Sequence, residues 1–215
     1  MPDLSFQIEG AEAQKFAAVP SLVFKLRVNN AIPGEAIHSI ALRCQIQLEV
    51  GRRQYNPEDQ HRLRDLFDQP ERWGATLRNL LWTHASAVAS GFEGSTQIDL
   101  PVPCTFDFNV AATKYFHGLT NGDIPLNFLF SGTVFYAGQE GALQVAPIPW
   151  NKEARYRLPL KAWQEMMEIY YPNSAWLCLR KDVFERLYAF KTDNAIPSWE
   201  QALERLLASE EVVKQ

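Results

Sequence analysis

The sequence predicts an α+β protein built on an antiparallel β-sandwich or a strongly curved sheet. Three observations lead to this fold class: strand patterns fill the first half, helical patterns are grouped rather than alternating with strands, and turn residues separate the strands. We expect a β-rich domain over residues 1–148, with a helical insertion at about residues 56–82. A C-terminal α-helical region, residues 149–215, is expected to pack on one face of it within the same structural unit.

The strongest strand signal is "SIALRCQIQLEV", residues 39–50. Apolar residues at every second position alternate there with polar ones, which is the pattern of a strand with one buried face. The same alternation occurs in "LSFQIE" at residues 4–9, "LVFKLRV" at 22–28 and "TFDFNV" at 105–110. Residues 84–102, "HASAVASGFEGSTQIDLPV", predict two strands joined by a glycine-rich hairpin loop.

The run "NGDIPLNFLFSGTVFY", residues 121–136, begins with turn residues and continues as an apolar strand. It is too interrupted to span a membrane, which requires roughly 18 apolar residues in succession. Leu126, Phe128 and Phe130 share one face, so we predict a central strand that is covered on both sides. Gly132 indicates a bulge or the close approach of another backbone. Residues 143–145 are expected to form a hairpin with this strand.

Helix signals begin with Asn56, a good N-cap, followed by Pro57 at the first helical position. This helix is predicted to reach about Phe67. Pro70 indicates, in the same way as Pro57, the start of a second short helix or a turn. The second segment is expected to pack four apolar residues inward: Leu77, Leu80, Leu81 and Trp82.

The C-terminal region contains the other helix signals. An amphipathic helix is predicted after Pro159, because residues 160, 163, 166, 167 and 170 are apolar or aromatic at helical spacing. A strand at 175–179 and a helix at 181–191 follow. Ser198 and Gln201 form a capping box for a last helix, which is expected to bury Trp199, Leu203, Leu206 and Leu207.

Composition excludes several classes of function. The net charge of −4, from 21 basic and 25 acidic residues, gives no positive field to hold nucleic acid. No segment is apolar for long enough to predict membrane insertion, and "MPDLSFQIEG" lacks the features of a secretory signal. We therefore expect a cytoplasmic protein.

Residues able to carry chemistry are scattered through the sequence. The three cysteines (Cys44, Cys104 and Cys178) and four histidines show no metal-binding spacing, and we interpret the cysteines as reduced core residues. No nucleophile elbow or phosphate-binding turn is present, so we predict no cofactor and no enzymatic activity. A pairing of Cys104 with His117 in three dimensions stays open.

Aromatic residues are concentrated between residues 150 and 176, where they are interleaved with Met166 and Met167. One interpretation is that they fill the seam between the sheet and the C-terminal helices. The other is a partner-binding surface, in which Trp, Tyr and Met are enriched. Two adjacent tyrosines at a helix end cannot both face inward, so part of the group should be exposed. The candidate partner-binding residues are Trp150, Tyr170, Tyr171 and Trp176.

Five segments together carry a resemblance that covers residues 5–207. They are "SIALRCQIQLEV", "ERWGATLRNLLWTH", "LPVPCTFDFNVAATKYFHGL", "GDIPLNFLFSGTVFY" and "YYPNSAWLCLRKD". With these segments in this order, the chain resembles an uncharacterised bacterial family, a domain of unknown function. The resemblance implies a gene context beside high-affinity nickel–iron uptake hydrogenases. It implies no catalytic or ligand residues.

The leading hypothesis is a non-catalytic accessory protein that assembles with or scaffolds a hydrogenase-related complex. Its protein partner would be a hydrogenase subunit or a maturation factor. The alternative hypothesis is a binding module for a small apolar or metal-linked ligand between the sheet and the helices. An exposed edge strand would also permit a homo-oligomer, and the sequence leaves the oligomeric state open.

Overall fold

The computed structural model of the chain describes residues 2–107, 110–138, 141–174 and 176–213, with the side chains of 210–213 excepted. The chain divides into two compact units, Met1–Trp176 and Leu177–Gln215. The sequence prediction placed a boundary at residue 148. The first unit extends further because residues 153–159 form a strand that pairs within the main sheet.

The first unit is a β-sandwich of two antiparallel sheets, which confirms the predicted fold class. The smaller sheet has the order β1 (Leu4–Ala13), β2 (Ser21–Asn30) and β5 (Ser95–Pro103). The larger sheet contains β4 (Leu80–Ala89), β3 (Ile37–Leu48) and β6 (Asp123–Ala137) in this order. Two further strands, β7 (Leu143–Pro147) and β8 (Glu153–Pro159), both pair with β6. The chain therefore changes sheet three times, between β2 and β3, between β4 and β5 and between β5 and β6.

The core lies between the two sheets and follows the predicted alternation. Phe24 of β2 meets Phe128 of β6 with ring centroids 5.1 Å apart, and Phe6 of β1 stacks on Phe130 at 4.3 Å. Gly132 pairs opposite Leu42 with φ of 137°, a conformation that favours glycine. A Cβ atom there would overlap the carbonyl oxygen of Ala41, which confirms the predicted close backbone approach.

Several local predictions were wrong. Residues 84–102 do form two strands, but β4 pairs with β3 and β5 pairs with β2, so they form no hairpin. Residues 80–82 begin β4 instead of continuing the helical insertion, and Leu81 is exposed. In "TFDFNV", residues 105–107 are not in a strand, because β5 has already ended at Pro103, and residues 108–109 lie outside the described residues. The strand β8 was not predicted.

Helices close one end of the sandwich. The β3–β4 connection supplies α1 (Pro57–Arg62), α2 (Arg64–Phe67) and α3 (Trp73–Thr76), and the β5–β6 connection supplies α4 (Ala111–Gly118). Helix α5 (Leu160–Tyr170) follows β8 directly, and the amide of Leu160 bonds the carbonyl of Gly122 just before β6. As predicted, Leu160, Trp163, Met166 and Met167 of α5 are buried. They pack across the end of the sandwich.

The second unit contains α6 (Lys181–Asp193) and α7 (Trp199–Val213). The hydroxyl of Ser198 accepts a bond of 3.2 Å from the amide of Gln201, which confirms the predicted cap. The ring of Trp199 lies 5.4 Å from that of Phe184. The predicted burial of Leu203, Leu206 and Leu207 is wrong, because all three are exposed. The strand predicted at 175–179 is absent from 176–179, and residue 175 lies outside the described part.

Candidate functional site: a cleft at the helix-capped end

A cleft of about 300 Å³ opens at the helix-capped end of the sandwich. It lies between α4 and α5, beside the segment that joins β5 to α4. Aromatic walls come from Phe106, Phe116, Trp163 and Tyr171, and polar side chains come from Arg62, His117, Gln164, Glu168 and Ser174. Ligand sites are commonly clefts of this kind, with apolar walls and a few polar groups.

The floor of the cleft is a rigid aromatic stack. Phe116 of α4 lies parallel to Trp163 of α5, with ring centroids 5.1 Å apart and an interplanar angle of 15°. The ring of His117 stands edge-on to the same indole at 4.8 Å. Both Phe116 and Trp163 are buried, so neighbouring packing fixes their positions.

Two of the wall residues, Phe106 and Tyr171, contact Trp176, and we call these three rings the aromatic rim. Tyr171 lies 4.5 Å from Phe106 and 5.4 Å from Trp176, centroid to centroid. Trp176 also meets Phe106 at 6.2 Å, and 58% of it remains exposed. A tryptophan that is held by two rings and still exposed is well suited to contact another molecule.

Tyr170 has a different role. Its hydroxyl donates to the carbonyl oxygen of Gln14 at 2.7 Å and accepts from the amide of Ala17 at 2.8 Å. These bonds fix the β1–β2 loop to the end of α5. Phe16, between the two bonded residues, has a positive φ of 61° and a fully exposed ring. Positive φ is uncommon for a bulky residue, and here the loop places an aromatic ring in solvent.

The predicted partner-binding residues are therefore divided between two places. Tyr170, Tyr171 and Trp176 lie at the helix-capped end, where Tyr170 anchors the loop and the other two belong to the aromatic rim. Trp150 lies in the connection between β7 and β8, beside the middle of β6, and is 91% exposed. The sequence did not predict that Phe106 lines the cleft or that the ring of Phe16 is exposed in the β1–β2 loop, because both positions depend on tertiary contacts.

The sequence matches, over residues 1–215, the family of unknown function DUF6084. The chain belongs to this family. This confirms the coarser part of the resemblance, a domain of unknown function.

Solved structures with similarity to the chain share little sequence with it. The CARDB domain of the PF1109 protein from Pyrococcus furiosus, solved with di-metal ions, is 11% identical, with a TM-score of 0.28; the match covers 74% of this chain and 92% of that one. A protein assigned as ApaA from Bordetella pertussis is 10% identical, with a TM-score of 0.27; the match covers 73% and 93% of the two chains. No protein with a curated description matches the sequence.

Burial shifts the pKa values of His117, which lines the cleft, and of two cysteines in the core. Burial lowers the pKa of His117 from its ordinary value of 6.5, which favours the neutral imidazole at neutral pH. Burial raises the pKa of the Cys104 thiol to about 12, so it is protonated at neutral pH and is a poor nucleophile. Cys44 is buried in the same way, whereas Cys178 is exposed, which corrects its predicted place in the core.

A buried ion pair holds the helical insertion beside the cleft. The guanidinium of Arg53 lies 3.3 Å from the carboxylate of Asp59, and their side chains are 7% and 1% exposed. Asp59 also accepts bonds of 2.8 Å from both the amide and the hydroxyl of Thr120. Arg53 donates to the backbone carbonyls of Asn121 and Asp123. The pair therefore fixes α1 to the turn that precedes β6.

The described residues contain neither a metal-binding cluster nor a membrane-spanning helix. No group of three or more His, Cys, Asp or Glu side chains within them is arranged to hold a metal ion. None of the helices in the described part of the chain is long and apolar enough to cross a membrane.

Proposed function

We propose that this protein is a non-catalytic interaction protein that binds a protein partner through the aromatic rim and the adjoining cleft. One observation carries the proposal: the half-exposed Trp176 packs against Tyr171 and Phe106, two of the rings that line the cleft. Aromatic anchors beside pre-formed pockets dominate the binding energy of many interfaces. Because the rings are already held in place, little side-chain entropy is lost on binding.

The chemistry of the cleft indicates what kind of segment it would accept. An apolar or aromatic side chain of the partner would enter between Phe116 and Tyr171 and lose its contact with water. Arg62, which pairs with Glu58, and Glu168 line the same cleft and place polar groups around that anchor. Because the polar lining of the cleft contains both signs of charge, neutral polar groups on the partner fit it better than a strongly charged segment does.

The family resemblance makes a hydrogenase subunit or a maturation factor the first partner to test. The proposal assigns the protein to the cytoplasm, as an accessory that assembles with such a complex. Its support is the sequence resemblance together with the aromatic rim.

Site-specific photo-cross-linking in the native host tests the proposal. A photoreactive phenylalanine analogue at position 176 should cross-link to a hydrogenase-related subunit, and the analogue at position 150 should not. Trp150 is a matched control because it is also exposed but lies on the sheet edge, away from the rim. Equal products from both positions, or products from position 150 alone, would contradict the proposal.

A second candidate, a module for a small apolar ligand, is favoured by the volume of the cleft. At about 300 Å³ it lies at the small end of the range for ligand sites, roughly 300–1,000 Å³. Native mass spectrometry of protein purified from its host tests this candidate. A bound mass that is lost in a Trp163→Ala variant would support it, and only the apo mass would count against it.

A further inference from the structure

The edge strands of the sandwich differ in how they are protected. Natural sheets shield their edges with charged residues, proline, bulges or short strands. β1 carries Glu9 and Glu12 and has a register shift after Ile8, and β5 contains Asp99, Pro101 and Pro103. β7 has only five residues and ends in Pro147, and β8 is rich in charged residues.

β4 has only one of these protective features, a register shift at Trp82 in its pairing with β3. Its ten residues, "LLWTHASAVA", include no proline, lysine, arginine, aspartate or glutamate. Among the described residues, β4 pairs with β3 alone, so its other side presents unpaired backbone groups. Leu81 and Val88 are 53% and 72% exposed on this strand. A long, uncharged and partly apolar edge is a template for the addition of another strand.

A groove runs beside this edge, where β4 and β5 come close together without pairing. Its volume is about 700 Å³, and its lining includes Ala87, Val88 and Ile98. Lys25 and Asp99 also line it, and Lys25 is bonded at 2.9 Å to both Asp99 and Glu12, so it is not an unpaired cation there. A strand added to β4 would direct every second side chain toward this groove.

The outer face of the larger sheet carries one arginine beside this edge. A shallow depression of about 380 Å³ is lined by Arg43, Gln45, His84 and Ser86. Arg43 lies opposite Ser86, one strand in from the edge, and is exposed. Within the described part of the chain, no carboxylate pairs with Arg43. An acidic side chain on the outer face of an added strand would complement this charge.

We propose that β4 is a docking strand for an extended segment of a partner protein, with large apolar residues at alternate positions and acidic residues between them. The apolar side chains would fill the groove beside β5, and the acidic ones would lie toward Arg43. A second copy of this chain fits less well. Its β4 would offer Ala85, Ala87 and Ala89 to the groove and would bring a second Arg43 to the same face. This inference concerns the sheet edge and does not depend on the function proposed for the aromatic rim.

A capped decapeptide of alternating valine and glutamate is the probe. With the full chain, we expect the amides on the free side of β4 to become at least roughly tenfold more protected from hydrogen exchange on saturation. A peptide of the same composition in scrambled order should give no protection. Val88→Lys should weaken binding by about tenfold or more, because lysine on an edge opposes strand addition.

Two matched variants complete the test. Gln7→Lys adds the same charge to the exposed face of β1, an edge that is already protected, and should leave the affinity unchanged. Arg43→Glu should reverse the preference, so that a valine–lysine peptide binds better than the valine–glutamate peptide. Absence of β4 protection, or equal binding of the scrambled peptide, would overturn the proposal. Concentration-dependent protection of β4 without peptide would also overturn it, in favour of a second copy.

Discussion

The ring of Tyr171 lies 4.5 Å from the ring of Phe106, which joins the end of α5 to the segment between β5 and α4. Its neighbour Tyr170 binds the β1–β2 loop through its hydroxyl. Two consecutive tyrosines thus organise two loops from different strands at one end of the sandwich. The exposed rings of Phe16 and Trp176 depend on these contacts for their positions.

Replacing Tyr170 with phenylalanine should loosen the β1–β2 loop without emptying the core. The variant loses the bonds to Gln14 and Ala17 but keeps the ring, so we expect a loss of about 1–3 kcal/mol in the free energy of unfolding. Urea denaturation measures that loss, and hydrogen exchange of the Ala17 amide should become faster. Tyr188→Phe, on an exposed ring of α6, is the control. An unchanged exchange rate at Ala17 would contradict the anchoring role of Tyr170.

The buried ion pair of Arg53 and Asp59 is expected to stabilise the helical insertion. Asp59→Ala leaves the guanidinium of Arg53 buried without its carboxylate, which should reduce the free energy of unfolding by about 3–5 kcal/mol. Glu58→Ala removes an exposed ion pair with Arg62 and should cost about 1 kcal/mol or less. Chemical denaturation of both variants provides the comparison. Equal losses would show that the buried pair does not hold α1 in place.

Gly132 tests the contact between the backbones of β6 and β3. Gly132→Ala should destabilise the protein by several kcal/mol, because the methyl group would overlap the carbonyl of Ala41 at a φ that suits glycine. Gly74→Ala is the matched control, since open space surrounds that position in α3. It should be neutral or stabilising by up to about 1 kcal/mol. A comparison of thermal melting curves distinguishes the two variants.

The three cysteines should differ sharply in reactivity. Burial raises the pKa of Cys44 and Cys104 to about 12, so the thiolate is scarce in the folded protein at neutral pH. Titration with a thiol reagent should therefore modify one cysteine in the native protein and all of them after unfolding. Cys178→Ser should remove the native reaction, because Cys178 is exposed. Rapid native modification of that variant would refute the burial of the other two thiols.

Local sequence patterns correctly predicted the elements whose apolar residues follow one clear strand or helix periodicity. The alternation in "SIALRCQIQLEV" gave β3, and the spacing of Leu160, Trp163, Met166 and Met167 gave α5. Asn56 caps α1 as its residue type predicts, by accepting a bond from the amide of Asp59. These features are set by neighbours in sequence, so tertiary contacts do not alter them.

Other parts depend on contacts between distant residues. In β8, Ala154, Tyr156 and Leu158 alternate with charged residues, which is a strand pattern. It was not recognised because a helix pattern begins directly after Pro159. The local sequence does not show that β4 and β5 belong to different sheets. A glycine-rich segment can join two strands of one hairpin as well as two strands of different sheets. The cleft is lined by residues between 62 and 174, so Phe106, which lies outside the aromatic concentration after residue 150, reaches it only through tertiary contacts.

The most direct test of the central claim compares binding and stability in one variant. For the partner captured at position 176, Trp176→Ala should raise the dissociation constant by about tenfold or more, as expected for a tryptophan anchor. Its melting temperature should change by less than about 3 °C, because exposed positions contribute little to stability. Trp150→Ala should leave both quantities unchanged. An unaltered dissociation constant for Trp176→Ala, measured by calorimetry, would contradict the assignment of the aromatic rim as the binding surface.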